Sequence, residues 1–544
     1  MEPDMKVYEA ISKAILDQGV EVMFGLIGDA NLYMVDSFIK SGAAKYQAAV
    51  HEVGAVLMAI GYAQASGKVG VATVTHGLAV TNTLTALIEG QRGSTPIVLF
   101  AGDTAVVDRH HFQNIDQREF FVAAGAGFVQ LRSAKTIGED VATAFRRARI
   151  EKRPVVVNMP SDLQWQDAEY VPQKAYAPAR LEYVVDGPDM ENAVGIIASA
   201  KRPVVLCGRG ACDPSARESI QAFADRIDAP LANTLKAKGA FTGHPFNLGI
   251  FGTLSTPVAL DAIMASDCII AFGAGLNQYT TAQGSLLRGK RLVHISADPS
   301  DIGRHVTPDA GLVGEPGRTA AQMVRLLDEA EIAGSGYRSP ELGKAIAEFV
   351  YPPQSKEGRP GTVSARQALQ TLDKAVNPDR ILVTDTGRFL IDSWRLMHVQ
   401  DPQSWVYTVN TGTIGLGLGH AIGASFAHPE RQTLLIAGDG GFMLGGLSEF
   451  TSAVRARADL IVILCNDGSY GAEHIQFRNK QMDPSISMFE WPDFAPVAEA
   501  LGGAGVTVRS SEDLDAAVEA IRGNRRPLLI DLKLDPDNMP MIDH

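Results

Sequence analysis

Short apolar runs of strand length alternate with helical patterns along most of the chain. Residues 22–24 (closing on Gly25), 69–75, 97–101 and 155–158 are almost continuously apolar, as strands covered on both faces are. Helical periodicity between them predicts a doubly wound sheet over residues 1–180. A second series, at 204–207, 268–272 and 292–295, predicts another α/β block over 190–335. A third block, 363–544, carries strands at 433–437 and 460–465, with Leu447, Phe450, Ala453 and Val454 at helical spacing between them. The fold class expected is therefore α/β: three doubly wound domains with mainly parallel sheets. Residues 173–188 and 331–362 are polar and rich in proline and glycine, and read as linkers.

Composition narrows the function classes. The chain has 544 residues, enough for about three domains, with 46% hydrophobic and 20% charged residues, the balance of a globular protein. A net charge of −13 argues against nucleic acid or an anionic membrane as partner. No apolar run reaches about 18 residues, and Met1-Glu2-Pro3-Asp4 lacks the pattern of a signal peptide. The four cysteines, Cys207, Cys212, Cys268 and Cys465, have no metal-ligand spacing and read as reduced core thiols. A cytoplasmic location is expected.

The chemistry concentrates where Ala437-Gly438-Asp439-Gly440-Gly441 follows one strand and Asn466-Asp467-Gly468-Ser469 follows the next. Both turns lie at carboxyl ends of strands in a βαβ unit, where open α/β sheets place ligands. An aspartate on a glycine turn at a helix start, with oxygen ligands from the neighbouring strand end, suits Mg²⁺ holding a diphosphate. Alone, a Gly-Asp-Gly turn is as readily structural; the strand, helix and Asn-Asp that follow make the signal specific. In the first block Glu52 opens a helix whose next eight residues are almost wholly apolar, a setting a carboxylate rarely enters without a partner. A solvated first-turn glutamate favouring the helix dipole is the alternative. The order Ala59-Ile60-Gly61, strand, Thr75-His76-Gly77 parallels Ala421-Ile422-Gly423, strand, Gly438-Asp439-Gly440, an internal echo between the first and third blocks.

These residues resemble the thiamine diphosphate enzymes of the pyruvate decarboxylase and acetolactate synthase group, over nearly the whole chain. The resemblance implies pyrimidine-binding, central and diphosphate-binding domains in that order, with thiamine diphosphate and Mg²⁺ as cofactors. It implies that Glu52 activates the aminopyrimidine and that Ile414, in Thr411-Gly412-Thr413-Ile414-Gly415, wedges beneath the bent cofactor, its N–H and the Gly412 carbonyl facing the ring. The cofactor-binding set implied is Gly412, Ile414, Gly438, Asp439, Gly440 and Gly441, with Gly387, Arg388 and Asn82. The metal set is Asp439, Ser469 through its carbonyl, and Asn466 or Asp467. The family's interval lands on Asn466, whereas the strand and the following Tyr470-Gly471 align Asp467. Asp467 is preferred, because Met443-Leu444-Gly445-Gly446 looks one residue longer than usual.

Asp29 in Gly28-Asp29-Ala30-Asn31-Leu32, the pair His110-His111, and Glu473 resemble the proton-handling residues of the decarboxylases. Each also has a plain reading, as a helix cap, a polar loop and a solvated helix residue. Phe112-Gln113 and much of the middle block resemble the synthases instead. FAD or ADP in the central domain is in doubt, because Gly275-Leu276-Asn277-Gln278 replaces the arginine and acidic residues expected there. The expectation ranks a non-oxidative 2-oxo acid decarboxylase, working through a C2 carbanion and enamine, first. An acetolactate synthase-like carboligase follows, then a 2-hydroxyacyl-CoA lyase. A non-catalytic thiamine- or nucleotide-binding protein is the reading from another class. The expected partners are a small 2-oxo acid or aldehyde and further copies of the chain, as a homodimer or homotetramer with active sites between chains.

Overall fold

The computed structural model describes residues 5–108, 110–176, 187–353, 358–523 and 525–539. Three six-stranded parallel sheets account for the three blocks. In the first, the strands are Val22–Gly25, Lys45–Ala48, Gly70–Val74, Ile97–Asp103, Gly127–Gln130 and Val155–Pro160. Their spatial order is second, first, third, fourth, sixth, fifth. The third block, with Arg380–Thr384, Trp405–Tyr407, Gln432–Gly438, Leu460–Asn466, Ala504–Val508 and Leu528–Lys533, repeats that order strand for strand. The middle block, with Pro203–Cys207, Leu231–Asn233, Asn247–Ile250, Cys268–Phe272, Arg291–Ser296 and Ala310–Val313, has the order third, second, first, fourth, fifth, sixth. That is the dinucleotide-fold order, so the echo read between the outer blocks is an echo of topology that the middle block does not share.

The apolar runs became central strands because helices cover both faces: Ile97–Ala101, Val155–Val157 and Leu460–Leu464 are wholly buried. The chain divides into two compact units, one joining the first and third blocks and the other built on the middle block with residues 398–405. Within the first unit the Glu52–Ser66 helix lies against the Gly417–Ala427 helix. A Cβ on Gly61 would stand 2.1 Å from the carbonyl oxygen of His420, and one on Gly423 would stand 1.9 Å from that of Met58. Each glycine therefore receives the backbone of the residue three positions before the other, so the two helices lock reciprocally about a local pseudo-two-fold. Any side chain larger than hydrogen would force these backbones apart.

The reading of 331–362 as a linker needs correction. Pro340–Glu348 is a helix, begun by Ser339, whose hydroxyl accepts the Leu342 N–H at 3.2 Å. Just before it, Tyr337 donates to the Ala262 carbonyl at 2.6 Å and Arg338 pairs with Asp225. The Ser-Pro-Glu start of a capped helix was hidden among the glycines and prolines around it. Of the other expected linker, residues 177–186 lie outside the described residues; just before them, Gln18 holds the main chain of Gln173 and Ala175.

Candidate active site

The register of the third sheet sets the centre. Gly438 pairs with Cys465, so Asp439 emerges beside Asn466 and Asp467 at adjacent strand ends. Asp439 is buried, its carboxyl pushed up to about 7, first by burial and then by the charge of Asp467, against the N–H groups of Gly440 and Gly468. Burial raises Asp467 as well. Oδ2 of Asp439 is buried without a hydrogen-bond partner. Asp467 Oδ1 accepts the Ser469 N–H at 2.9 Å and its hydroxyl at 2.7 Å. Asn466 donates its Nδ2 to Asp531 at 2.9 Å in the buried core. Two buried carboxylates thus share a low-dielectric corner, one with an oxygen left over, a donor set that a cation would satisfy. Among the described residues no group of three or more His, Cys, Asp or Glu converges as a metal site. A hard cation here would complete its shell with backbone oxygen, water or phosphate, the habit of Mg²⁺.

The turn itself is built for close approach. Asp439–Gly441 is one helical turn, followed by a π-helical turn, Phe442–Gly446, in which the Leu447 N–H reaches the Phe442 carbonyl at 2.7 Å. A π-helical turn holds one residue more than an α-helical one, and it spans the whole 443–446 loop. A Cβ on Gly440 would stand 2.7 Å from the Tyr470 ring, and one on Gly441 would stand 2.9 Å from Asp385 Oδ2. Gly387 and Gly438 both lie against the ring of Phe389. Arg388 spends its two terminal nitrogens on the carbonyls of Pro536 and Met539, each at 2.8 Å, while its charge acts on Asp467. It ties the last described segment to the site.

Ile414 is half-buried and Gly412 is exposed, with Gly412 and Gly415 at φ +73° and +82°. The far end of their loop is held by Asp385, a residue the motif reading did not single out. Its Oδ2 accepts the Gly415 N–H at 2.9 Å and its Oδ1 those of Leu416 at 3.3 Å and Thr386 at 2.8 Å. Full burial pushes this carboxyl up to about 6 in spite of those donors. The only sequence signal was its place immediately after a strand, in Thr384-Asp385-Thr386-Gly387.

In the first block Glu52 does open the Glu52–Ser66 helix, capped by His51, whose Nδ1 accepts the Val53 N–H at 3.3 Å. The Glu52 side chain is 14% exposed and accepts from Asn82 Nδ2 at 3.0 Å, which places the expected Asn82 directly on it. Asp29 is exposed and caps nothing: at this turn Asn31 does the bonding, accepting the Gly28 N–H at 2.8 Å and donating to Thr73 and Leu26. His110 is exposed, whereas the half-buried His111 stacks on Phe112 and lies 5.3 Å from the ring of His76. His76, buried at the carboxyl end of the Gly70–Val74 strand, was read only as part of the echo. Its Nδ1 has no partner, burial holds its pKa below the usual imidazole value, and the charges of Asp29 and Asp103 act on it. The strand ends therefore bring Asp29 and His111 together through His76. Glu473 stands exposed on the Gly471–Asn479 helix of the third block, with no contact to that group.

In the middle block the crevice at the strand-order reversal lies beyond Cys207 and Phe272. Leu276, within the Gly275-Leu276-Asn277-Gln278 stretch that stands in place of the expected arginine and acidic residues, is left-handed at φ +50° and buried in the apolar core that also holds Ala274 and Leu286. Among the described residues no helix is long and apolar enough to cross a membrane.

Comparison with known proteins agrees with this geometry. Residues 5–120 match the thiamine pyrophosphate enzyme N-terminal TPP binding domain, residues 190–323 the central domain and residues 385–532 the C-terminal TPP binding domain. The chain is 29% identical to acetolactate synthase of Mycobacterium leprae, over 97% of its own length and 87% of that protein's. It is 27% identical to the acetolactate synthase large subunit of Corynebacterium glutamicum, with 97% and 87% covered. Identity to the probable acetolactate synthase large subunit of Methanocaldococcus jannaschii is 28%, with 99% and 93% covered.

Proposed function

Because the chain belongs to the thiamine pyrophosphate enzymes of the pyruvate decarboxylase and acetolactate synthase group, we infer that it removes CO₂ from a 2-oxo acid and joins the remaining acyl unit to a second carbonyl compound. The observation that carries the location is the Asp439–Asp467 pair with its unpartnered oxygen. Bound there, thiamine diphosphate supplies an electron sink next to the substrate carbonyl. Asp439, Asp467 and the Ser469 carbonyl would hold Mg²⁺, and the N–H groups of the 438–441 turn would face the diphosphate. Asp467 is preferred to Asn466 in this reading because it sets a second carboxylate beside Asp439, whereas Asn466 donates its Nδ2 to Asp531 and could offer a metal only Oδ1. Ile414 would support the bend between the two rings. Glu52, held by Asn82, would keep or release the proton on the pyrimidine ring, general acid–base work worth roughly 10²–10⁴-fold in rate.

The order of the two leading activities changes. Plain decarboxylation ranked first from the sequence; the relatives bear the name acetolactate synthase, which favours carboligation. Decarboxylation ending in proton transfer stays as the second reading on one observation, the Asp29–His76–His111 group at the first sheet's edge. Product analysis with a 2-oxo acid, with and without an acceptor carbonyl, separates them: a ligated hydroxy-ketone product supports the first reading, and aldehyde alone supports the second.

The active form is at least a dimer in this reading, because Glu52 and the metal-binding turn lie on different domains and the family joins them across chains. Light scattering at working concentration tests it; a fully active monomer contradicts it.

A further inference from the structure

The loop that carries Ile414 has little packing at its tip. Gly412 is exposed and has no heavy atom within 4 Å of where its Cβ would be, and two left-handed glycines flank Thr413 and Ile414. Its conformation is therefore set at its ends. Asp385 fixes the Gly415-Leu416 end from within the third block. The other end is fixed from a different domain. Glu89, on the Leu84–Arg92 helix of the first block, is fully buried. Its Oε1 accepts the Asn410 N–H at 3.1 Å and the Asn410 side-chain amide at 2.6 Å, and its Oε2 accepts the Thr411 hydroxyl at 2.8 Å. Thr411 in turn meets Thr413 Oγ1 at 3.1 Å. Just upstream, Gln64 of the first block accepts the Tyr407 N–H at 3.1 Å.

Placing a carboxylate at zero exposure is costly unless donors surround it, and here all three donors come from two consecutive residues. A residue that only joined two domains could use any surface pair. This one takes the backbone and side-chain N–H donors of Asn410 and the hydroxyl of Thr411, immediately before Gly412.

We propose that Glu89 is a positioning residue, a first-domain carboxylate that fixes the Asn410-Thr411 end of the loop and thereby the height of Ile414 under the cofactor. The inference rests on the thiamine diphosphate reading and adds to it a division of labour. The first domain contributes Glu52 to cofactor activation, and through Glu89 it also shapes the diphosphate domain of its own chain. If active sites form between chains, the same first domain then touches two sites, activating one and shaping the other.

Glu89→Gln keeps the size and gives up one acceptor; Thr411→Val removes a single donor and is the milder variant should the first fold poorly. Amide hydrogen exchange over 411–416, read on the full chain without cofactor, is expected to speed up about ten-fold or more in both variants, while exchange in the Gln432–Gly438 strand stays unchanged. Turnover in Glu89→Gln is expected to fall about ten- to hundred-fold, the cost of a misplacement near 1 Å. The loss is expected to add little to that of Ile414→Ala in a double-mutant cycle, because both act through one loop. Unchanged loop exchange in both variants, or losses from Glu89→Gln and Ile414→Ala that multiply, would overturn the proposal. Failure of the wild-type chain to bind thiamine diphosphate would instead remove the functional reading, and the exchange measurement would still report on the clamp.

Discussion

The first and third sheets share one strand order and lock through one reciprocal pair of glycines, yet equivalent strand ends carry opposite chemistry. The third strand of the third block ends at Asp439, and its fourth at Asn466-Asp467. In the first block the same two strands lead to His76 and Asp103. One set of strand ends holds two buried carboxylates, with the charge of Asp467 helping to raise Asp439, and leaves an oxygen unpaired. The other holds an imidazole and a carboxylate, with Asn158 donating to Asp103 at 2.7 Å and Gln117 donating to Asn158 at 2.8 Å. The first arrangement leaves a carboxylate oxygen, Asp439 Oδ2, without a partner; the second leaves only a ring nitrogen, His76 Nδ1. A single scaffold thus carries a pair of buried carboxylates at one set of strand ends and an imidazole beside a hydrogen-bonded carboxylate at the other.

The largest effect expected is at Glu52. Glu52→Gln should lower turnover by roughly 10²–10⁴-fold while cofactor affinity, measured by titration, stays within a few-fold. An unchanged rate would remove the proton-transfer role. Next is the carboxylate pair. Asp467→Asn should abolish the rise in melting temperature that Mg²⁺ and thiamine diphosphate give. In the metal-free protein the same change should raise the melting temperature, because it removes a like charge beside Asp439. Asn466→Asp should do the reverse, bringing a carboxylate against Asp531. If Asn466→Asp were harmless and Asp467→Asn left metal binding intact, the ligand assignment would be the wrong way round.

The helix pair gives the next effect. Gly61→Ala and Gly423→Ala should each destabilise the chain by about 1–3 kcal/mol or more, and by similar amounts, because their clashes are mirror images. Chemical denaturation reads this, and a large effect at one glycine with none at the other would break the symmetry.

The smallest effect is a pH slope from Asp385. Its folded carboxyl titrates near 6 against an ordinary 3.8. Between those values the native chain holds a proton that the unfolded chain has released. The stability it contributes is present below about pH 4 and lost as pH rises through about 6, about 3 kcal/mol at most. Asp385→Asn should flatten that part of the stability curve; an unaltered slope would show that the carboxyl is not buried as described.

Much of this was legible in the sequence, for a reason visible in particular residues. Runs such as Leu460–Cys465 and Cys268–Phe272 are apolar throughout, so periodicity finds them within a residue or two. Lys45–Ala48, Leu231–Asn233 and Trp405–Tyr407 are only three or four residues long, too short to show a period of their own, and only pairing with a neighbour makes them strands. At the site, Asp439 and Glu52 stand in settings recognisable on their own, a glycine turn after a strand and the start of an apolar helix. Asp385 and Glu89 do not: the donors that define them lie 30 and 321 residues away, and no local pattern announces a contact at that distance. His76 was hidden for a related reason, since only the fold brings His111 and Asp103 to it.

Calorimetric titration of thiamine diphosphate into metal-stripped protein, with and without Mg²⁺, tests the central claim most directly. Binding that requires Mg²⁺ and disappears in Asp439→Asn is the result expected. Binding that ignores both the metal and that substitution, or no binding to the wild-type chain at all, would contradict it.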